Sequence, residues 1–454
     1  MNRTAVINVV GLTNGLLGDH TPHMKAFADR GHLSTFKPAF PAVTCTAQSD
    51  FLTGKSASDH GIVANGWYNR EYSEVHFWKQ SNHLVEQPKI WDALKARDPS
   101  FTCAKMFWWY NMYSSVDYSV TPRPIYPADG RKFFDVYTHP MDMREEIKKD
   151  LGEFPFHTFW GPKAGIESSQ WIAASAKWIE EKQQPTLNLV YLPHLDYNLQ
   201  RLGPHHPAIA EDLQAIDKVV GELIDFFETR SIQIVLLSEY GITEVDTPIH
   251  INRELRKQGW ITIKDELGLE QLDCGASDVF AVADHQIAHV YVKDPTMVSE
   301  VKALLESIDG IERVLDSSSK PTFGIDHDRA GDLIAIAEPS AWFTYYYWLD
   351  NKVAPDFARC VDIHRKPGYD PVELFIDPTI KAPLLKILGF LAKKKLGFRG
   401  LLDLIPLNAN LVKGSHGRIP EDSDDWPVFI SQTETGTPNC STDVYDLIKH
   451  LITD

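Results

Sequence analysis

The chain has 454 residues, 43% of them hydrophobic and 11% aromatic, enough to bury a large core and too apolar for a disordered polymer. Its 45 Lys and Arg against 62 Asp and Glu give a net charge of −17. That balance excludes a nucleic-acid scaffold, which needs a basic surface, but not a small phosphate ester held beside a metal ion. No apolar run reaches the roughly 18 residues of a membrane span.

The N-terminus passes from Met1 almost directly into Ala5–Val10, a buried strand by its composition, too short and too β-branched for a secretion signal. A helix is predicted from Thr21-Pro22 to Arg30, with Thr21 as cap, Pro22 at the first helical position and Gly31 as stop. Leu187–Leu192, Ile232–Leu237, Ala288–Val292 and Asp332–Ala337 read as parallel core strands, with helices over Ala208–Arg230 and Met297–Ser307 between them. The alternation predicts one α/β domain over residues 1–454, a doubly wound and mainly parallel sheet with helices on both faces. Two stretches break the alternation and are expected as cap insertions over the carboxyl edge, one near 100–170 and one near 340–412.

The five cysteines, Cys45, Cys103, Cys274, Cys360 and Cys440, are scattered and never spaced as C-x-x-C. They make neither a zinc cage nor a disulfide framework, and with the N-terminus they lead us to expect a cytoplasmic protein.

Five constellations carry possible chemistry. Thr44 follows Phe40-Pro41-Ala42-Val43 at a predicted helix start, where backbone N–H groups favour an anion. It reads either as a nucleophile or as an ordinary helix cap, and Cys45 beside it is the rival nucleophile. Asp196 lies just past the strand 187–192, with Gln200 one turn on, and Glu239-Tyr240 just past the strand 232–237. His416 sits between Gly414-Ser415 and Gly417, and Asp362-Ile363-His364 offers two donors on one face of an extended segment. Hard oxygen donors and imidazoles gathered at several strand ends suit a divalent metal and a phosphoryl or sulfuryl substrate.

In order and spacing, these pieces resemble the type I phosphodiesterase/nucleotide pyrophosphatase branch of the alkaline phosphatase superfamily. The likeness runs through Gly11-Leu12, Thr21-Pro22, Thr44 to Gly54, His60-Gly61-Ile62, Asp196, Gly203-Pro204, Ser238 to Gly241, Ala288 to Tyr291, Gly331-Asp332 and Gly414 to Gly417. The resemblance implies an alkaline-phosphatase-like fold and a hydrolase that attacks small-molecule phosphate esters through Thr44, by way of a covalent phospho-enzyme. It also implies a divalent metal cofactor, zinc or manganese, held in part by Asp196, Glu239 and His416. Cys45, Gln200 and Tyr240 would then face the substrate.

The chain departs from the family pattern at several of these positions. Val10 stands where the family has a strand-end Asp, Gln200 and Tyr240 stand where it has imidazoles, Glu239 is a lengthened Asp, and Ala47 replaces a hydrogen-bonding Asn. Two expectations follow. In the favoured one, Asp362 and His364 supply replacement ligands beside Asp196, Glu239 and His416, because an acidic cluster without a counter-cation is costly. In the other, the family member is catalytically altered or inactive and binds a phosphorylated small molecule.

Other features are given the plainer reading. Leu384–Leu396, with four lysines, is expected as a surface helix packed on the second insertion rather than an interfacial membrane helix. Trp108-Trp109-Tyr110 suits core packing at least as well as base stacking. His205-His206 is ranked below Asp362 and His364 as a source of replacement imidazole. A sulfatase is excluded, since Cys45 is followed by Thr46-Ala47-Gln48 and not by the sequence that oxidation requires.

Overall fold

In the computed structural model, which describes residues 1–454, the strand Thr4–Val9 is buried at every position and takes the middle of an eight-stranded sheet. A strand with apolar residues on both faces can only be satisfied between neighbours and under helices, and this one is. Leu187–Leu192 pairs parallel to it on one side and Gln233–Leu237 on the other, so that Val6 lies opposite both Leu189 and Val235. Cys103–Met106 and Tyr118–Pro122 extend the parallel run. Val136–His139 closes one edge antiparallel, and Val428–Ser431 with His32–Thr35 closes the other the same way. The helices Ile166–Gln183 and Ile209–Glu228 pack on this sheet and on each other. The mainly parallel α/β architecture is the expected one.

Several local expectations are corrected. The stretch near 100–170 supplies three strands of the sheet itself before it becomes loop and helix. Ile287–Val292 and Leu333–Ala337 do not join the parallel sheet. They are antiparallel neighbours in a separate four-stranded sheet with Val279–Asp284 and Ile311–Leu315, which has its own apolar core. Only His285 and Gln286 connect Val279–Asp284 to Ile287–Val292, and a two-residue connection forces antiparallel pairing. Apolar runs of this kind signal burial on both faces and leave the partner unspecified.

The predicted helix forms over Pro22–Arg30, but Thr21 Oγ1 accepts from Gly18 N instead of from the helix. Its free N–H groups go to Asp217 of Ile209–Glu228, which takes His23 N at 3.1 Å and Met24 N at 2.8 Å. The segment Trp342 to Trp348 is buried throughout and nucleates a small aromatic core with Phe357, Val372 and Ile405.

Candidate active site

The carboxyl ends of three adjacent parallel strands bring the polar residues together. Leu187–Leu192 leads into the helix His194–Leu202, whose first turn carries Asp196. Gln233–Leu237 leads into Ser238, Glu239 and Tyr240. Thr4–Val9 contributes Asn8 near its end, and then Val10, which lies in the main hydrophobic core and offers no donor atom. Crevices at such strand ends are where open α/β sheets bind ligands.

Thr44 is the first residue of the helix Thr44–Thr53. The cap is Val43, and the Thr44 side chain makes no capping bond. Its Oγ1 lies 3.0 Å from the Tyr240 hydroxyl, which donates to Asp196 Oδ1 at 3.3 Å. Since Tyr240 gives its proton to Asp196, Thr44 donates to Tyr240. Gln200 Nε2 donates to the other Asp196 oxygen at 2.7 Å, and Tyr369 donates to Gln200 Oε1 at 3.0 Å. Tyr240, His416, His285 and Tyr369 form a continuous stack, with successive ring centroids 3.7 Å apart.

Beneath this stack lies a second layer. Glu239 Oε1 accepts from Asn8 and from Gln48, both at 2.6 Å, and Gln48 Oε1 accepts from Trp109 N at 2.7 Å. Asp284 accepts from Asn65 N and pairs with His285 Nδ1 at 2.7 Å. Asn65 in turn accepts from Cys45 N. Every one of these side chains is buried.

Burial decides the charge state. It pushes Asp196 up to about 7 and Glu239 up to about 8, the latter against hydrogen bonds from Gln48 and Asn8. It raises Asp284 to about 6 and drives the His416 and His285 imidazoles well below their ordinary value. His416 Nδ1 donates to Ala42 O at 2.7 Å, because a carbonyl can only accept, and this leaves Nε2 as a bare lone pair. Burial thus weakens, without abolishing, the charge on these acids.

The donor set does not fit the two-metal site of the family pattern. Val10 cannot bind a cation, both Asp196 oxygens are engaged by Tyr240 and Gln200, and no three His, Cys, Asp or Glu side chains converge as a metal cage. Nor are Asp362 and His364 brought to Asp196, Glu239 and His416. The Asp362 backbone N–H donates to Glu373, and His364 is an exposed residue whose Nδ1 lies 3.3 Å from Phe77 O. Nearby Lys366 explains why: its ammonium is buried between Asp370 and Glu373, at 2.7 and 2.6 Å, and so ties this segment to itself.

The remaining sequence candidates also separate. Cys45 packs with Phe40, Trp109 and Tyr110, and burial raises its thiol well above the ordinary range, so it is no rival nucleophile. His205 and His206 are exposed. Trp108, Trp109 and Tyr110 are core residues, with Trp109 packed on Trp78. Tyr369, His285, Asp284, Asn65 and Gln48 went unnoticed in the sequence. Only Asp284 and His285 lie at a local feature, the end of a strand and the first turn residue of its hairpin.

Comparison with known proteins gives the family and the fold. The family model described as type I phosphodiesterase / nucleotide pyrophosphatase matches residues 4–370. An uncharacterized pyrophosphatase/phosphodiesterase of Schizosaccharomyces pombe is 26% identical over 232 residues, 49% of this chain and 41% of that protein. Ectonucleotide pyrophosphatase/phosphodiesterase family member 7 of Homo sapiens is 24% identical over 280 residues, 60% of this chain and 54% of that one. The chain spans about half the length of the curated relatives it matches. Among solved structures, phosphonoacetate hydrolase from Sinorhizobium meliloti in complex with phosphonoformate superposes with a TM-score of 0.63 at 14% identity, covering 100% of this chain and 95% of that one. An inactive form of murine ectonucleotide pyrophosphatase / phosphodiesterase 5 in complex with AMP gives 0.59 at 16% identity, with coverage of 100% and 95%.

Proposed function

Because the chain belongs to the type I phosphodiesterase/nucleotide pyrophosphatase family, we propose that it is a phosphoester hydrolase that attacks a small-molecule substrate through Thr44, with protein side chains serving where the family pattern has metal ligands. The observation that carries this reading is the chain of hydrogen bonds from Thr44 through Tyr240 to Asp196. It joins a hydroxyl at a helix N-terminus to a carboxylate whose affinity for a proton is poised near neutrality, as a general base requires.

In this mechanism Thr44 Oγ1 bonds to phosphorus as the bond to the leaving oxygen breaks, and the leaving group departs as an oxyanion that takes its proton from solvent. The Thr44 proton moves to the Tyr240 oxygen while the Tyr240 proton moves to Asp196. Glu239, kept protonated by burial, has one oxygen without a protein partner and donates from it to a phosphoryl oxygen. Water then attacks the phospho-threonine, the bond from phosphorus to Thr44 Oγ1 breaks, the proton on Asp196 returns through Tyr240 to Thr44, and the proton that the water sheds leaves with the phosphate product or to solvent. The bare Nε2 atoms of His285 and His416, also without protein partners, accept from that water.

A second reading has its own support. Thr44 is only 3% exposed and its neighbours largely satisfy one another, which suits a site that binds a phosphorylated small molecule without turnover. One experiment separates the two. The chain is mixed with bis-p-nitrophenyl phosphate, quenched and mapped by mass spectrometry, and AMP binding is followed by calorimetry. A phosphate adduct on Thr44 that vanishes in Thr44→Ala supports the hydrolase. AMP binding without any adduct, weakened by Thr44→Ala, supports the binding protein, and the absence of both sinks both. A cytoplasmic location belongs to the same proposal. All five cysteines are free, which suits a reducing compartment, and fractionation of cells tests it.

A further inference from the structure

The helix Pro383–Lys395 lies on the surface with Pro383, Lys386, Ile387 and Phe390 half-buried along one face, and none of its residues is fully buried. Leu384, Leu388 and Leu391 follow one another at helical spacing and share a face, and with Leu385 they are between 51% and 71% exposed. The apolar surface continues past the helix through Leu396, Phe398 and Leu401, all exposed. An apolar stripe of this length without a partner is unusual on a soluble protein and marks an interaction surface.

Charge says what covers it. Between Asp377 and Asp403 the chain carries Lys381, Lys386, Lys393, Lys394, Lys395 and Arg399 and no acidic residue, although the whole molecule has a net charge of −17. Lys386 pairs with Asp403, whereas Lys393, Lys394 and Lys395 have no acidic partner. The first insertion adds to the same surface. Arg399 donates to the Asp129 carbonyl at 3.0 Å, and the loop around it exposes Tyr126, Phe133 and Phe134, with the Lys132 ammonium within 5.3 Å of the Phe134 ring centre. Leucines on one helical face, aromatic rings beside them and lysines at the margin are the composition of a helix that lies in a lipid headgroup layer. At 13 residues the helix cannot cross a bilayer, and no helix of the chain is long and apolar enough to do so.

We propose that Pro383–Lys395, with the neighbouring loop 125–134, docks the protein onto an anionic lipid surface, its leucines in the acyl boundary and its lysines among the headgroups. This inference stands apart from the hydrolase reading, since none of these residues belongs to the Thr44 site.

The test is sedimentation of the full chain with vesicles of phosphatidylcholine alone or mixed with phosphatidylserine. The wild type is expected to sediment at least tenfold more with the mixed vesicles at low salt, and to be released by high salt. Lys393→Gln, Lys394→Gln and Lys395→Gln are expected to weaken binding by roughly fivefold per lysine removed. A Leu384→Asp/Leu388→Asp variant, whose changes fall on exposed positions and spare the fold, is expected to stay in the supernatant. Equal sedimentation of that variant with anionic vesicles, or no sedimentation of the wild type with either kind, overturns the proposal. So does a concentration-dependent dimer of the wild type that Leu388→Asp abolishes while vesicles bind neither form, an outcome that would assign the surface to a second copy of the chain.

Discussion

Tyr240 shows how one side chain can redirect a site. A phenol reaches both Thr44 and Asp196, and burial keeps its own proton in place, so it can pass a proton on but does not readily lose one. Tyr240→Phe should therefore lower kcat by about 10²- to 10⁴-fold, the usual worth of a positioned proton-transfer group, while KM changes little. Steady-state kinetics on the purified variant checks it. The same geometry sets the pH profile. Asp196 must be ionised to take the proton, so the rate should rise as pH passes upward through about 7. Glu239 must stay protonated to donate, so the rate should fall above about 8. A narrow bell between those values is expected, and a rate that climbs steadily to pH 10 would refute the assignment of Glu239.

Among the elements, the four-stranded antiparallel sheet is fastened to the site region through Asp284 and also through His289. His289 on Ile287–Val292 donates from Nε2 to Val63 O and accepts at Nδ1 from Gly331 N, which requires the neutral ring. Burial lowers its value from 6.5 to about 4. The unfolded chain therefore takes up this proton at a higher pH than the folded one does. The stabilisation is complete above about 6.5 and is lost progressively as the pH falls towards 4. His285 and His416 act in the same direction. His289→Gln is expected to cost about 1–3 kcal/mol at pH 8, through one unsatisfied buried partner, and to flatten part of the loss of stability on acidification. Thermal melts between pH 8 and pH 4 measure both effects.

For the molecule as a whole, metal ions are not expected to hold the site together. The sheet core of 65 buried residues and the hydrogen bonds that Gln200 gives Asp196 and Gln48 gives Glu239 hold the strand ends without a cation. Chelation should leave the Tm of the wild type unchanged. Gln200→His should reverse this, because it would set a third imidazole or carboxylate donor beside Asp196 and His416, one helical turn from Asp196. That variant is expected to retain about one zinc per chain, by the requirement of three protein ligands for an open zinc site, and to lose stability on chelation. Elemental analysis of both proteins decides it. Stoichiometric zinc in the wild type would overturn the argument from the donor set.

Read alone, the sequence determined the fold class and the position of Thr44. The runs 5–10, 187–192 and 232–237 are apolar on both faces, a pattern that signals strands covered on both sides, their alternation with helices suits a parallel sheet, and the motifs following them mark its carboxyl edge. Thr44 was legible because helix starts and strand ends are local features. Pairing is not local. Nothing within 287–292 distinguishes a parallel from an antiparallel neighbour, and the partner became visible only through the two-residue turn at His285 and Gln286. The fate of Gln200 and Tyr240 was likewise a matter of three dimensions. The loss of two imidazoles is plain in the sequence, but their replacements close a hydrogen-bonded circuit with Asp196 and Tyr369, a residue 173 positions beyond Asp196, and only folding brings these together. Protonation followed the same rule. Asp196 and Glu239 read as ordinary anions, whereas removal from water raises the proton affinity of both, because the cost of a buried charge depends on everything packed around it and not on the residues beside it in the chain.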